Sequence, residues 1–247
     1  MPTSLERYIR QRPLLTNAGQ HRLRHARVLQ VDVGELGSSA AMYLTGAGVG
    51  HLTLADSDTV QHHNLHRQVL YATAEQGQPK VDRARDRLNA LNEEVRIETL
   101  TAHLAGQTLH NAVATADVVL DCTDNLATRY ALNAACIDTA TPLISGSVER
   151  MHGQLMVIAP PFSQGCYACL YPMQDAPPPP TTPISILGPI AGVIGTLQAL
   201  EAIRLMTEGR SPLSDTLTLF DGNHLHWRTL RRTRTSSCPV CGETQCA

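Results

Sequence analysis

The 247-residue sequence lacks several features that would have pointed elsewhere. It has no excess of charge: 20 Lys and Arg against 22 Asp and Glu leave a net charge of −2, which gives no electrostatic footprint for a nucleic acid. It has no run of 18 apolar residues, so no segment is expected to cross a membrane. The N-terminus, MPTSLERYIRQRPL, is charged and lacks the apolar centre of a signal peptide, so a cytoplasmic location is expected. What is there is 43% apolar residues, enough to bury the core of one large domain.

Four of the seven cysteines form two close pairs, Cys166-x-x-Cys169 and Cys238-x-x-Cys241, in the loop-like contexts QGCYACLYP and SSCPVCGET. Four thiolates with two-residue spacing inside each pair suit a tetrahedral structural Zn2+; two redox pairs are the bland alternative. A closed four-cysteine site leaves no open position for water, so such an ion staples the fold and does no chemistry. Cys122 and Cys136 read as small buried apolar residues, and Cys246, beside the last residue, as exposed.

The stretch from Val28 to Arg67 organises the rest. Val28-Leu29-Gln30-Val31 reads as a buried strand, Gly34 and Gly37 as the turn after it, Ser38 to Gly46 as a small-residue helix, and Leu52-Thr53-Leu54 as a second strand ending at Asp56. That is the dinucleotide-binding βαβ order, in which a helix start offers free N–H groups and a positive dipole to phosphate. An acid about 20 residues on, here Asp56 with Asp58 as the weaker candidate, accepts ribose hydroxyls; capping the next turn is the structural alternative. The loop departs from G-x-G-x-x-G, with Asp32 in the first glycine's place and Glu35 between the other two. Two acids facing a phosphate chain repel it unless they point to solvent or hold a metal.

Further along, Leu5 to Leu15 reads as a short amphipathic helix and Pro79 opens another through VDRARDRLNALN. Val95 to Leu100 reads as a strand and Ala102 to Thr115 as a helix. Ala116 to Cys122 is an apolar strand running into the carboxylates Asp121 and Asp124, where open α/β sheets bind ligands. A helix over about Ala127 to Thr139 and the strand Leu143-Ile144-Ser145 follow, and the sheet then turns antiparallel through Gly153 to Ile158. Ile184 to Met206 reads as one buried helix, too interrupted by Gly and Pro to span a membrane. Thr216 to Phe220 and Leu225 to Leu230 read as late strands, and the basic RTLRRTRT stretch as a solvated face. The three histidines His62, His63 and His66 invite a metal, but near neighbours in sequence rarely converge on one ion.

The blocks GELGS, LTLADSDTVQHHNLHRQVLY, GQPKVDRAR, LDCTDN, SGSVERMHGQ, CYACL, GPIAGVIGTLQALEAI and CPVCG occur in this order. From about Leu5 to Gly242 the series resembles the ThiF/MoeB/HesA family, bacterial relatives of the ubiquitin-activating enzymes. The resemblance implies a Rossmann-like, doubly wound α/β fold with a mostly parallel sheet, an antiparallel C-terminal extension and a zinc knuckle. It implies one domain: a helical arm (1–20), a nucleotide-binding half (24–145) and a carrier-binding and dimerisation half (146–247). It implies an ATP- and Mg2+-dependent adenylyltransferase, a symmetric homodimer that acts on the C-terminal Gly-Gly of a ubiquitin-like sulfur-carrier protein and relies on a separate sulfur donor. Residue by residue, Arg10 matches the arginine that reaches over the dimer interface to the partner's ATP, and Asn64, Arg67 and Lys80 match phosphate ligands. Asp124 and Asn125 match the acid tied to magnesium and its neighbour, while Gly34, Glu35, Gly37 and Asp56 line the nucleotide, and Asp121 is structural. In many members a cysteine in the proline-rich crossover forms a thioester or persulfide; here that position is Thr181, so the cysteine-dependent second step is absent from this segment. A rival expectation is that Asp32 and Glu35 have closed the site, leaving a carrier-binding scaffold or one half of a heterodimer. An NAD(P)-dependent oxidoreductase fits the βαβ unit but explains neither LDCTDN nor the cysteine pairs.

Overall fold

The computed structural model describes residues 4–173 and 185–242. Eight strands, β1 (Arg27–Val31), β2 (His51–Ala55), β3 (Arg96–Leu100), β4 (Val118–Asp121), β5 (Leu143–Glu149), β6 (His152–Ile158), β7 (Thr216–Asp221) and β8 (His226–Arg231), make one sheet. Their order is β3-β2-β1-β4-β5-β6-β7-β8. The first five are mutually parallel and the last three run antiparallel, so the expected doubly wound sheet with an antiparallel extension is present. After β1 the chain winds outward to β3, then returns to β4 on the other side of β1. The crevice between β1 and β4 is therefore the topological switch point, where open sheets bind ligands.

The helices are α1 (Ser4–Arg7), α2 (Arg12–His25), α3 (Glu35–Ala47), α4 (Lys80–Leu91), α5 (Gly106–Ala114), α6 (Leu126–Asp138), α7 (Tyr167–Leu170) and α8 (Gly188–Glu208). Alternate residues of β1 feed two cores, because successive strand side chains point to opposite faces. Val28 joins the core under α2, α3, α4 and α8, whereas Leu29 and Val31 join the core under α5, α6 and α7. The closest helix contact is α3 on α8: a Cβ at Gly195 would stand 2.2 Å from the Leu36 carbonyl oxygen, so only glycine lets these backbones approach.

Boundaries differ from expectation where caps decide them. The N-terminal segment forms two helices, because Pro13 opens a new one and Thr16 (φ 63°) breaks its regularity. α3 starts at Glu35, since Gly34 already serves as its N-cap. α8 starts at Gly188 and ends where Gly209 adopts a left-handed conformation (φ 72°). This 21-residue helix is long and apolar enough (mean hydropathy 1.3) to cross a membrane by composition alone, yet 56% of its most apolar window is buried inside the fold, in keeping with the buried core helix expected. On its other side Pro189, Gly192, Val193, Thr196 and Leu197 line an open groove of about 420 Å³ with Trp227. The basic RTLRRTRT stretch, which begins inside β8, is exposed along most of its length, as expected, with one exception. Arg232 is buried and donates to the Gly165 and Val157 carbonyls (2.8 Å each), tying the sheet to the cysteine-bearing loop.

Candidate active site

The carboxyl ends of β1, β2 and β4 meet in a cavity of about 230 Å³ lined by Asp32, Asp56, Asp58, His103, Thr123, Asp124 and Asn125. Asp56 ends β2 with both oxygens engaged: Oδ2 accepts the Val33 N–H (3.0 Å) and Oδ1 the Asp58 N–H (2.8 Å). Lys80, the sequence's one lysine, starts α4 almost wholly buried. Its Nζ lies 3.0 Å from Asp58 and 3.6 Å from Asp56. Burial alone would depress its amine; Asp56 and Asp32 outweigh that and hold it above its ordinary value.

The glycine turn is occupied by its own acids. Asp32 stands at φ 75°, a conformation that favours glycine, and its Oδ1 accepts the Gly34 N–H at 2.5 Å. Burial first, and Asp56 second, push its carboxyl up to about 8, against the opposing pull of Lys80 and the Gly34 N–H. Gly37 has to be glycine, because a Cβ there would sit 2.3 Å from the Asp32 carbonyl oxygen. Gln30, wholly buried in β1, donates to the carbonyls of Asp32 (3.2 Å) and Gly37 (3.0 Å), bracing the turn from below. Glu35, partly exposed at the edge of the turn, is held by a cation of the same chain. Its Oε2 accepts from Arg67 Nε at 2.6 Å, while Arg67 also donates to the His63 carbonyl (3.2 Å) and Asn64 Oδ1 (3.4 Å).

A second, larger cavity of about 820 Å³ approaches the same place from the other side. Glu35, Thr123 and Asp124 border it, and Leu126, Tyr130, Val148, Tyr171 and Met173 give it a largely apolar wall. Thr123 and Asp124 line both cavities, so the end of β4 is their shared boundary. The arrangement sets a small, acid-lined polar pocket on one side of this boundary and a larger, mainly apolar one on the other.

Comparison with known proteins decides the family. The ThiF family model matches residues 6–240. The chain belongs to the ThiF family. It is 49% identical over 224 residues to the sulfur carrier protein ThiS adenylyltransferase of Escherichia coli (strain K12), covering 91% of this chain and 89% of that one. It is 41% identical over 225 residues to the molybdopterin-synthase adenylyltransferase of Salmonella typhimurium, covering 91% of this chain and 90% of the relative. Among solved structures, a complex of MccB from E. coli superposes with a TM-score of 0.84 at 21% identity, over 97% of this chain and 75% of that one. At that identity the likeness concerns the fold alone.

In this ThiF-family chain the residues singled out from sequence are placed as follows. Gly34, Glu35, Gly37, Asp56, Asn64, Arg67, Lys80 and Asp124 lie at strand ends or in the segments beside them, but only Asp56 and Asp124 line the polar cavity and only Glu35 and Asp124 the larger one. Asn125 lines the cavity as well, but its Oδ1 caps α6 by accepting the Thr128 N–H (2.8 Å). Arg10 is exposed in the arm and lines neither cavity. Asp121 is structural, as expected: it is buried beneath Thr123, Ser145 and Arg129. Thr181 and Cys246 lie outside the described residues. Sequence reasoning missed Gln30, Arg129 and the tyrosines of the larger cavity. Gln30 in an apolar strand was the one legible signal; the others come together from separate elements.

Cys166, Cys169, Cys238 and Cys241 place their four Sγ atoms within 4.8 Å of one another. The Cys166–Cys238 and Cys169–Cys241 separations are 3.7 and 3.4 Å, near the edge of about 3.8 Å that four Zn–S bonds of about 2.3 Å require. The thiolate set fits zinc. Burial opposes ionisation of Cys169, yet hydrogen bonds, including that from the Thr235 N–H (3.4 Å), bring its thiol down to about 7. Cys122 and Cys136 are buried, as expected.

Proposed function

We propose that this chain uses ATP to adenylylate the C-terminal glycine carboxylate of a ubiquitin-like sulfur-carrier protein ending in Gly-Gly. The observation that carries the reading is the pair of cavities sharing the end of β4 at Thr123 and Asp124. Nucleotide occupies the polar cavity, and the carrier's extended tail occupies the apolar one, delivering its carboxylate to the boundary. A carboxylate oxygen attacks the α-phosphorus, the bond to the bridging oxygen breaks, and pyrophosphate leaves with that electron pair. The names of the two adenylyltransferase relatives support the same chemistry.

Lys80 and Arg67 neutralise phosphate charge, with Asn64 orienting Arg67. Asp56 keeps free lone pairs on both oxygens and can accept ribose hydroxyls while it holds the turn. The exposed carboxylate of Asp124, at the boundary, is the residue that would hold magnesium, whose charge would screen the phosphate oxygens. Arg10 acts across a symmetric dimer packed on the open groove of α8 and Trp227. The arm, the nucleotide half (24–145) and the carrier half (146–247) work as one domain, in the cytoplasm, and sulfur comes from a separate donor.

A second reading, a carrier-binding scaffold without catalysis, is favoured by the carboxylates of Asp32 and Glu35 on the glycine turn. Carrier-dependent exchange of labelled pyrophosphate into ATP separates the two. Exchange that vanishes in Lys80→Met establishes the adenylyltransferase; none from the folded, zinc-loaded wild type leaves the scaffold.

A further inference from the structure

Two of the groups that would receive phosphate oxygens already hold carboxylates of the same chain. The Gly34 N–H, at the start of α3, is taken by Asp32, and the Arg67 guanidinium is taken by Glu35. The second contact is the more easily exchanged. Both side chains of the Glu35–Arg67 pair are about one-fifth exposed, at 20% and 19%, and Glu35 borders the larger cavity, into which it can withdraw. Arg67 keeps its contacts to His63 and Asn64 when that happens, so the guanidinium stays aimed. A guanidinium fork accepts a phosphate in the same geometry as a carboxylate.

We propose that Glu35 is an internal competitor for the phosphate site on Arg67, an affinity-setting residue that nucleotide has to displace. This rests on the reading that the cradle takes ATP. The empty cradle stays neutralised and ordered, and the cost of breaking the ion pair is subtracted from nucleotide affinity. Removing the charge on Glu35 therefore tightens ground-state binding without improving the chemical step.

The test is calorimetric titration of the full chain with Mg-ATP, and separately with inorganic pyrophosphate, comparing wild type with Glu35→Gln and Glu35→Asp. Pyrophosphate exchange on the same proteins supplies KM and kcat. The expected order of affinity is Gln tightest, Asp intermediate and Glu weakest. Glu35→Gln should gain about tenfold and lower KM for ATP by a similar factor with no rise in kcat. Circular dichroism and zinc content confirm that each variant is folded. A residue that merely holds Arg67 in place gives the reverse order, with weaker binding when the carboxylate is lost, and that overturns the proposal. Equal ATP affinity in all three proteins also overturns it while leaving the adenylyltransferase reading intact. Tighter carrier binding without tighter ATP binding would move the competition to the carrier's carboxylate and sink the phosphate assignment. No ATP binding by any of the three at millimolar concentration defeats the nucleotide reading, and this inference with it.

Discussion

Asp32→Asn tests the electrostatics of the glycine turn directly. The Asp32 carboxyl sits at about 8, far above the ordinary 3.8, chiefly because it is buried and next because Asp56 faces it. Between these two values the folded chain carries a proton at Asp32 that the unfolded chain does not, so stability falls as pH rises through that window. Each pH unit removes up to about 1.4 kcal/mol, so the span from pH 5 to pH 8 amounts to at most about 4 kcal/mol. Below about pH 4 the group is protonated in both states and contributes nothing. Asparagine removes the titration while keeping an oxygen for the Gly34 N–H, and it tolerates φ 75° better than most residues. The variant is therefore expected to match wild type near pH 4 and to exceed it by about 2–4 kcal/mol near pH 8. Denaturant unfolding at pH 5.5, 7 and 8.5, without nucleotide or magnesium, reads the difference, and titrations common to both proteins cancel. Parallel pH profiles, or a wild type that gains on the variant as pH rises, would refute the reasoning.

Other expectations follow from single contacts. Arg232→Ala strands the Gly165 and Val157 carbonyls and should cost about 3–5 kcal/mol in denaturant unfolding, far more than a solvated arginine would. Gly195→Ala drives a methyl group into the Leu36 carbonyl and should destabilise by about 1–3 kcal/mol, seen as a lower thermal midpoint. Stripping the four-cysteine cluster with a chelator should lower the midpoint by roughly 10 °C or more and release about one zinc per chain, which metal analysis counts.

Much of the frame was legible in the sequence because it depends on local rules. The apolar run of β1, the glycine turn, the small-residue helix and the strand ending at Asp56 each follow from nearest-neighbour chemistry, and the ordered motif blocks carried the family. Cysteine spacing likewise identified the four thiols that now face one point. Helix ends were less legible, because Gly34, Pro13 and Gly209 move them by capping rather than by periodicity. Most of the RTLRRTRT stretch is surface as read, but charge in a sequence says nothing about which carbonyls lie within reach of Arg232, the one residue of it that is buried.

The sequence by itself determined which groups this chain owns: a βαβ unit with an acid at its second strand end, a lysine and an arginine for phosphate, and two cysteine pairs. Only the tertiary structure decided how they are partnered. Asp32 and Glu35, two isolated charges in a string of letters, become a cap on Gly34 and a clasp on Arg67 because β1, α3 and the loop carrying Asn64 converge at the switch point of the sheet. The physical reason is range. Propensity and spacing act over a few residues, whereas Coulomb and hydrogen-bond energies depend on distances that are set only when segments 32 residues apart, such as Glu35 and Arg67, pack together.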